Sequence, residues 1–379
     1  MGRNRKSPMR LDGMSSLLSS VIAILVGLAF GFIILLISNP AQAVKGLTVI
    51  LKGGFNGGAK GVGQMLYYAT PLILTGLSVG FAFKTGLFNI GASGQLIVGA
   101  FTAIWTAVNW TWLPGPLHWI VPILMAIIAG GLWASIPGLF KAFLGVNEVI
   151  ACIMMNYIGM YGVNYLIKVS NIYDQLKNQT VNVPAAAALP YGGLNNVFFE
   201  KIGNLVRPSS VNIGIFIAII AAVVIYILLN KTTFGYELKA CGMGRDASRY
   251  AGINEKRSIF LSMVIAGMLS GLAGAVMYLA RSDGLHIDVV DVLAPQGFNG
   301  IPVALLGLSN PLGIIFSGIF VAHLEQGGYY LQKLSYMPEI IDIIIGAIIY
   351  FSAFSLIFKN AITALVRRFD MKRRKETDQ

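Results

Sequence analysis

Apolar residues run along this chain in blocks of about twenty, the length that a bilayer-crossing helix needs, and polar residues collect in the gaps. Residues 17–37 form an uncharged block, and 62–83 a second one, interrupted by Pro71 and several glycines. Residues 88–140 carry no formal charge and are divided by Pro114 and Pro116. Further blocks fall at 149–167, 211–229 and 258–280. Residues 292–322 are again uncharged and divided by Asn310-Pro311, and 340–358 close the series. The pattern predicts an all-α polytopic membrane protein of about ten transmembrane helices.

Composition agrees with the pattern. Of 379 residues, 56% are apolar and 12% charged, against about 25% charged in a soluble domain. Mean hydropathy is +0.71. Disordered, collagenous, disulfide-stapled and ordinary soluble chains are excluded. The net charge of +12 is explained by where the cations fall. With both termini in the cytosol, 19 of the 28 Lys and Arg residues lie on the cytosolic side, as the positive-inside rule requires. The basic balance is therefore a topology signal, and nucleic acid drops out. The basic N-terminus resembles a signal peptide, but its apolar run exceeds the roughly 7–15 residues of such a segment, so a retained first helix is expected. Three parts follow: 1–61 (basic segment, first helix, external loop), 62–358 (membrane domain, with cytoplasmic loop 230–257) and 359–379 (basic tail). The external loop 170–210 and the loop 230–257 are too short for a catalytic domain.

Recognisable reaction chemistry is missing. No Gly-Lys dipeptide occurs, so there is no phosphate-binding P-loop. Cys152 and Cys241 stand far apart in unlike surroundings, and His118, His286 and His323 are scattered, with no metal spacing. Of the acids near the blocks, Glu148, Glu325 and Asp342 are expected close to water at span ends, which speaks against a proton-coupled carrier.

Two segments interrupt the apolar pattern alike. Thr85-Gly86-Leu87-Phe88-Asn89-Ile90-Gly91-Ala92-Ser93-Gly94-Gln95 and Pro295-Gln296-Gly297-Phe298-Asn299-Gly300-Ile301-Pro302 each contain Phe-Asn among glycines. Non-helical backbone at membrane depth survives only where protein or a wet cavity satisfies it. The two are expected to be broken helices in an inverted repeat, spans 2–5 against 7–10. Phe88, Asn89, Gln95, Asn156, Phe298 and Asn299 are the candidate lining of a polar path. Neutral amides with aromatics suit an uncharged hydroxylated or heterocyclic solute.

The stretch from Thr232 to Ile253 is the most informative. Gly244 closes one segment, residues 245–251 fit two helical turns, and Gly252 stands where a helix-ending glycine is wanted. Gly244, Arg245, Asp246, Ala247, Ser248, Arg249, Tyr250 and Ala251 thus form a candidate docking element for a partner.

This loop resembles the coupling segment of bacterial ABC importer permeases of the ribose and branched-chain amino acid class. Gly86-Leu87-Phe88-Asn89-Ile90-Gly91-Ala92-Ser93-Gly94-Gln95 is similar to that class's G-x-F-N-I-G-A-E-G-Q. Asn147-Glu148-Val149-Ile150 with Met155-Asn156-Tyr157-Ile158 is similar to its N-E-V-I and M-L-N-Y-I. Phe298-Asn299-Gly300-Ile301-Pro302-Val303-Ala304-Leu305-Leu306-Gly307 with Asn310-Pro311-Leu312-Gly313 is similar to G-F-x-G-I-A-V-A-L-L-G and N-P-x-G. Ser93 replaces the class's Glu and Met155 its Leu, so no family role is carried to Ser93. The motifs most resemble the larger permease of nucleoside importers. That resemblance implies a bacterial plasma-membrane subunit with no ATPase site of its own. It also implies a second permease, an ATPase holding ATP and Mg, and an extracytoplasmic binding lipoprotein. A ribose-type sugar permease, or from another class a stand-alone ion-coupled carrier or channel, are the alternatives.

Overall fold

The computed structural model describes residues 8–203, 205–280, 286–337 and 339–353. Residues 354–358 of the last apolar block, the cations Arg3, Arg5, Lys6 and Arg281, and the tail from Lys359 lie outside the described residues. The chain is mostly helical. In order the helices are α1 (Pro8–Ser38), α2 (Ala43–Lys52), α3 (Gly58–Lys84), α4 (Ala92–Asn109), α5 (Leu117–Leu144), α6 (Glu148–Val169) and α7 (Gly214–Lys231). They continue as α8 (Thr233–Met243), α9 (Arg245–Tyr250), α10 (Glu255–Tyr278), α11 (Pro295–Leu306), α12 (Pro311–Leu331) and α13 (Glu339–Ala353). The loop after α6 adds two small antiparallel hairpins, β1 (Tyr173–Asp174) with β2 (Gln179–Thr180), and β3 (Phe199–Ile202) with β4 (Leu205–Pro208).

Among the described residues, five stretches are long and apolar enough to cross a membrane: Ala43–Lys84, Leu117–Leu144, Glu148–Val169, Gly214–Lys231 and Glu255–Tyr278. Pro114 and Pro116 lie in the gap between α4 and α5, as the sequence indicates. Pro311 opens α12 at the position where its missing N–H costs nothing, while Asn310 Oδ1 accepts from Leu312 N at 3.0 Å.

Two compact units make up the chain, one of residues 1–53 with 327–379 and one of 54–326. In the first, α1 and α13 pack through glycines. A Cβ on Gly31 would sit 2.9 Å from Ile344, and Phe30 meets Phe351 edge-on at 6.0 Å. Tyr336 donates to the Asn39 carbonyl at 3.0 Å.

The second unit is built on α10, which contacts α3, α4 and α5. Small residues allow this: Gly99 of α4, Gly130 of α5 and Gly271 of α10 meet backbone to backbone, so a Cβ on Gly99 would lie 2.5 Å from Gly271 Cα. Membrane helices, lacking a hydrophobic drive toward one another, associate through such close approach.

One expectation is corrected. Residues 295–302 form no break; they open α11, a helix without interruption to Leu306. Pro295 occupies the first turn, where no helical hydrogen bond is lost, and Pro302 removes only one bond farther along. The irregular stretch lies before it instead, at residues 286–294. The first break stands as expected, at residues 85–91 between α3 and α4.

Candidate functional site

The break after α3 is a helix stop of defined geometry. Gly86 adopts φ +70°, a conformation other residues avoid. Gly86 N donates to Phe83 O and Leu87 N to Ala82 O, both at 3.0 Å, which is the paired bonding of a Schellman motif. Leu87 then buries beside Ala82, Cys152, Met263 and Ala266, fixing the direction in which the chain leaves.

That direction carries Asn89 into the protein, where it is 0% exposed. Its Nδ2 donates to Ser78 Oγ at 3.0 Å and to Gln95 Oε1 at 2.9 Å, and Gln95 Nε2 donates back to Asn89 Oδ1 at 2.9 Å. Ser78 in turn donates to Ala266 O at 2.6 Å and accepts from Ser270 Oγ at 2.8 Å. One donor and two acceptors exhaust the bonding of that hydroxyl. Thr85 and Ser262 share a hydrogen bond of 2.8 Å nearby. Asn156 bridges the far side: its Oδ1 accepts from Gly94 N at 2.8 Å and its Nδ2 donates to Ile90 O at 3.0 Å. The structure therefore brings Asn89, Gln95 and Asn156 together as a closed buried lock on the break, with their polar atoms engaged by protein. Phe88 is half-buried and stacks on Phe83 at 5.2 Å.

Phe298 and Asn299 sit apart from that lock, half-buried on α11. Asn299 Nδ2 donates to Glu325 Oε1 of α12 at 3.3 Å. α11 reaches α3 through glycine: a Cβ on Gly300 would lie 2.7 Å from Thr75 Oγ1. At its start, Ser93 Oγ donates to Ala294 O at 2.8 Å. The first turns of α4 and α11, each preceded by irregular chain, thus meet one another.

The stretch after α7 folds into two short helices. Thr232 Oγ1 caps α8 by accepting from Gly235 N at 3.0 Å. Gly244 separates α8 from α9, and Gly252, at φ +80°, ends α9. Gly252 N donates to Arg249 O and Ile253 N to Ser248 O, a second Schellman stop. The helix pair is held inward by Leu238, Cys241 and Ser248, with Ser248 Oγ 3.5 Å from Cys241 Sγ. Its other side is open: Met243 is 89% and Tyr250 95% exposed, with Asp246, Ala247, Arg249 and Ala251 also exposed. Arg245 and Gly244 are half-buried at its base.

The helix pair and the break touch through backbone. A Cβ on Gly242 would lie 3.0 Å from Gly86 N and collide with Lys84 O. Sequence reasoning missed this contact and the hydroxyls Thr85, Ser78, Ser262 and Ser270. Isolated hydroxyls in apolar helices were the available signal for the latter. The Asn147-Glu148 pair has a local purpose: Asn147 Oδ1 caps α6 by accepting from Val149 N at 2.9 Å, and Glu148 pairs with Lys141 at 2.7 Å.

Residues 61–353 match the family model of the branched-chain amino acid transport system / permease component. The guanosine ABC transporter permease protein NupP of Bacillus subtilis is 39% identical over 90% of this chain and 94% of its own length. The nucleoside ABC transporter permease protein NupB of Lactococcus lactis is 36% identical over 89% of this chain and 91% of its own. The glucose ABC transporter permease protein TsgB13 of Haloferax volcanii is 31% identical over 89% and 87%. No solved structure matches this chain.

Proposed function

The chain belongs to the branched-chain amino acid transport system / permease component family, and from that premise we propose how its lock and its projecting helix pair work together. It is the membrane permease of a nucleoside ABC importer, a multi-pass protein of the plasma membrane. Near-complete coverage by guanosine and nucleoside permeases, at 39% and 36% identity, is the observation that carries this.

The mechanism we propose places α8 and α9 in the cytosol as the docking element for a separate ATPase that holds ATP and Mg. The exposed Met243 and Tyr250, ringed by Asp246 and Arg249, offer apolar anchors within a polar rim, the composition of a protein interface. Closure of the ATPase would push α8. Because Gly242 rests on the backbone of Lys84 and Gly86, the push reaches the break without passing through a flexible side chain. The break then carries Asn89 away from Gln95 and Ser78, and the amides exchange protein partners for solute or water. In this reading Phe88, Asn89, Gln95, Asn156, Phe298 and Asn299 line the path when it opens.

Ten crossings with both termini in the cytosol complete the proposal. α11 has 12 residues, about 18 Å of helix, short of the roughly 30 Å hydrocarbon layer. Residues 286–289 pair with the external loop at Asn178 and Thr180, and residues 290–294 lead from there to α11 and supply the rest of the eighth crossing. The meeting of α4 and α11 at Ser93 and Ala294 supports the inverted repeat, since half-helices in such repeats converge near mid-membrane. A second permease and an extracytoplasmic binding lipoprotein are the remaining partners of the assembly.

Replacing residues 245–251 by a Gly/Ser linker tests the docking. The ATPase is expected to be lost on co-purification while the permease still folds; retention of the ATPase at the original level would contradict the assignment. Competition of guanosine uptake by uridine but not by ribose or glucose tests the substrate.

A further inference from the structure

Charged groups in the apolar helices of the 54–326 unit cluster at helix ends, with one exception. Across α3 to α7 and α10 to α12, Glu325 is the single Asp, Glu, Lys or Arg more than one turn from either end of its helix. It lies 14 positions beyond Pro311, about 21 Å along α12. The sequence alone places it near water; the end of α12 at Leu331 lies six positions farther on, which sets it about 9 Å inward.

Its facing is set by the helix it belongs to. Ile314, Gly318, Val321 and Glu325 follow one another at intervals of four, three and four on one face. Ile314 packs on Gly76 and Gly318 on Ile73, both of α3. Glu325 continues this protein-facing stripe, whereas Phe316, on another face, is 74% exposed. Glu325 is half-buried and accepts from Asn299 Nδ2 at 3.3 Å.

A carboxylate inside an apolar helix is costly, by about 2.5–3.5 kcal/mol at the helix centre on insertion scales. Joining two helices does not require one: the same chain ties its break to α4 with a neutral amide pair, Asn89 and Gln95. What a carboxylate does and an amide does not is accept two parallel O–H bonds with full negative charge. Vicinal hydroxyls present that pair of donors, and acidic side chains take the ribose hydroxyl in this way in dinucleotide sites.

We propose that Glu325, oriented by Asn299, is the specificity-determining carboxylate for the ribose diol of the transported nucleoside. The inference rests on the nucleoside reading above. Asn299 holds one carboxylate oxygen, and its own Oδ1 is a further acceptor for a solute N–H or O–H.

The test uses the assembled importer, with its ATPase and binding protein, in proteoliposomes. Uptake of guanosine and of 2′,3′-dideoxyguanosine is measured for the parent and for Glu325→Gln. A merely structural residue changes both rates in proportion, so the ratio is the readout. The guanosine preference is expected to fall about tenfold, the equivalent of about 1.4 kcal/mol. An unchanged ratio overturns the proposal. If Glu325→Gln does not assemble, Asn299→Ala is expected to reduce the same ratio, and an unchanged ratio there overturns it equally. Absence of guanosine uptake by the parent assembly would instead defeat the nucleoside reading, so the two failures are distinguishable.

Discussion

Asn89 shows how one side chain fixes a segment that has no regular backbone bonding. Its amide is completely buried and bonded on both ends, to Gln95 and to Ser78. Asn89→Leu strands both amide atoms of Gln95, while Ser78 keeps Ala266 O and Ser270 Oγ, and each buried polar group left unsatisfied costs about 1–3 kcal/mol. The expected result is a clearly lower unfolding temperature in detergent; an unchanged one would mean that the lock is not formed. Leu308 gives a residue-scale prediction of the opposite sign. It follows α11 with φ +54°, and Ser309 N donates to Ala304 O at 2.8 Å, so it holds the helix-ending place that favours glycine. Leu308 is 58% exposed and loses little packing. Leu308→Gly is expected to stabilise by about 1 kcal/mol, from relief of the left-handed strain, as read by thermal unfolding.

At the scale of elements, the proposed mechanism turns on the contact between α8 and the end of α3. Gly242→Val places a branched side chain against Lys84 and Gly86, where there is no space, and separates lever from break. ATPase co-purification is expected to persist because residues 244–251 are untouched, while nucleoside uptake falls by tenfold or more. Normal uptake in that variant would show that the push travels elsewhere. Much of this scale was legible in sequence. Gly252 marks the end of α9 because its φ of +80° needs what glycine permits, while Gly244 at the start lies in extended backbone that any residue adopts. The apolar blocks with their proline dividers reveal the helices for the same local reason. What was not legible depends on partners distant in the chain. Pro295 signals a break when read alone, yet it opens α11, because a proline at the first helical position looks the same in sequence as one that ends a helix. Asn89, Gln95 and Asn156 read as polar residues in an apolar setting, and only the fold reveals that they bond to one another. Glu325 reads as a terminal charge until the full extent of α12 is known.

For the whole molecule, path and engine are separate in the proposed mechanism. The 54–326 unit holds the break, its lock, α11 with Asn299, and the α8–α9 pair, while the proposed mechanism assigns ATP hydrolysis to another subunit. On the proposed mechanism a solute passes only when the lever is pushed, so transport by the permease alone should be absent even with a nucleoside gradient. The most direct measurement is uptake of labelled guanosine into proteoliposomes holding this chain, with and without the ATPase, binding protein and ATP. Accumulation above the outside concentration is expected only in the complete, ATP-supplied assembly. Guanosine uptake at a comparable rate by this chain alone, without ATP, would contradict the account.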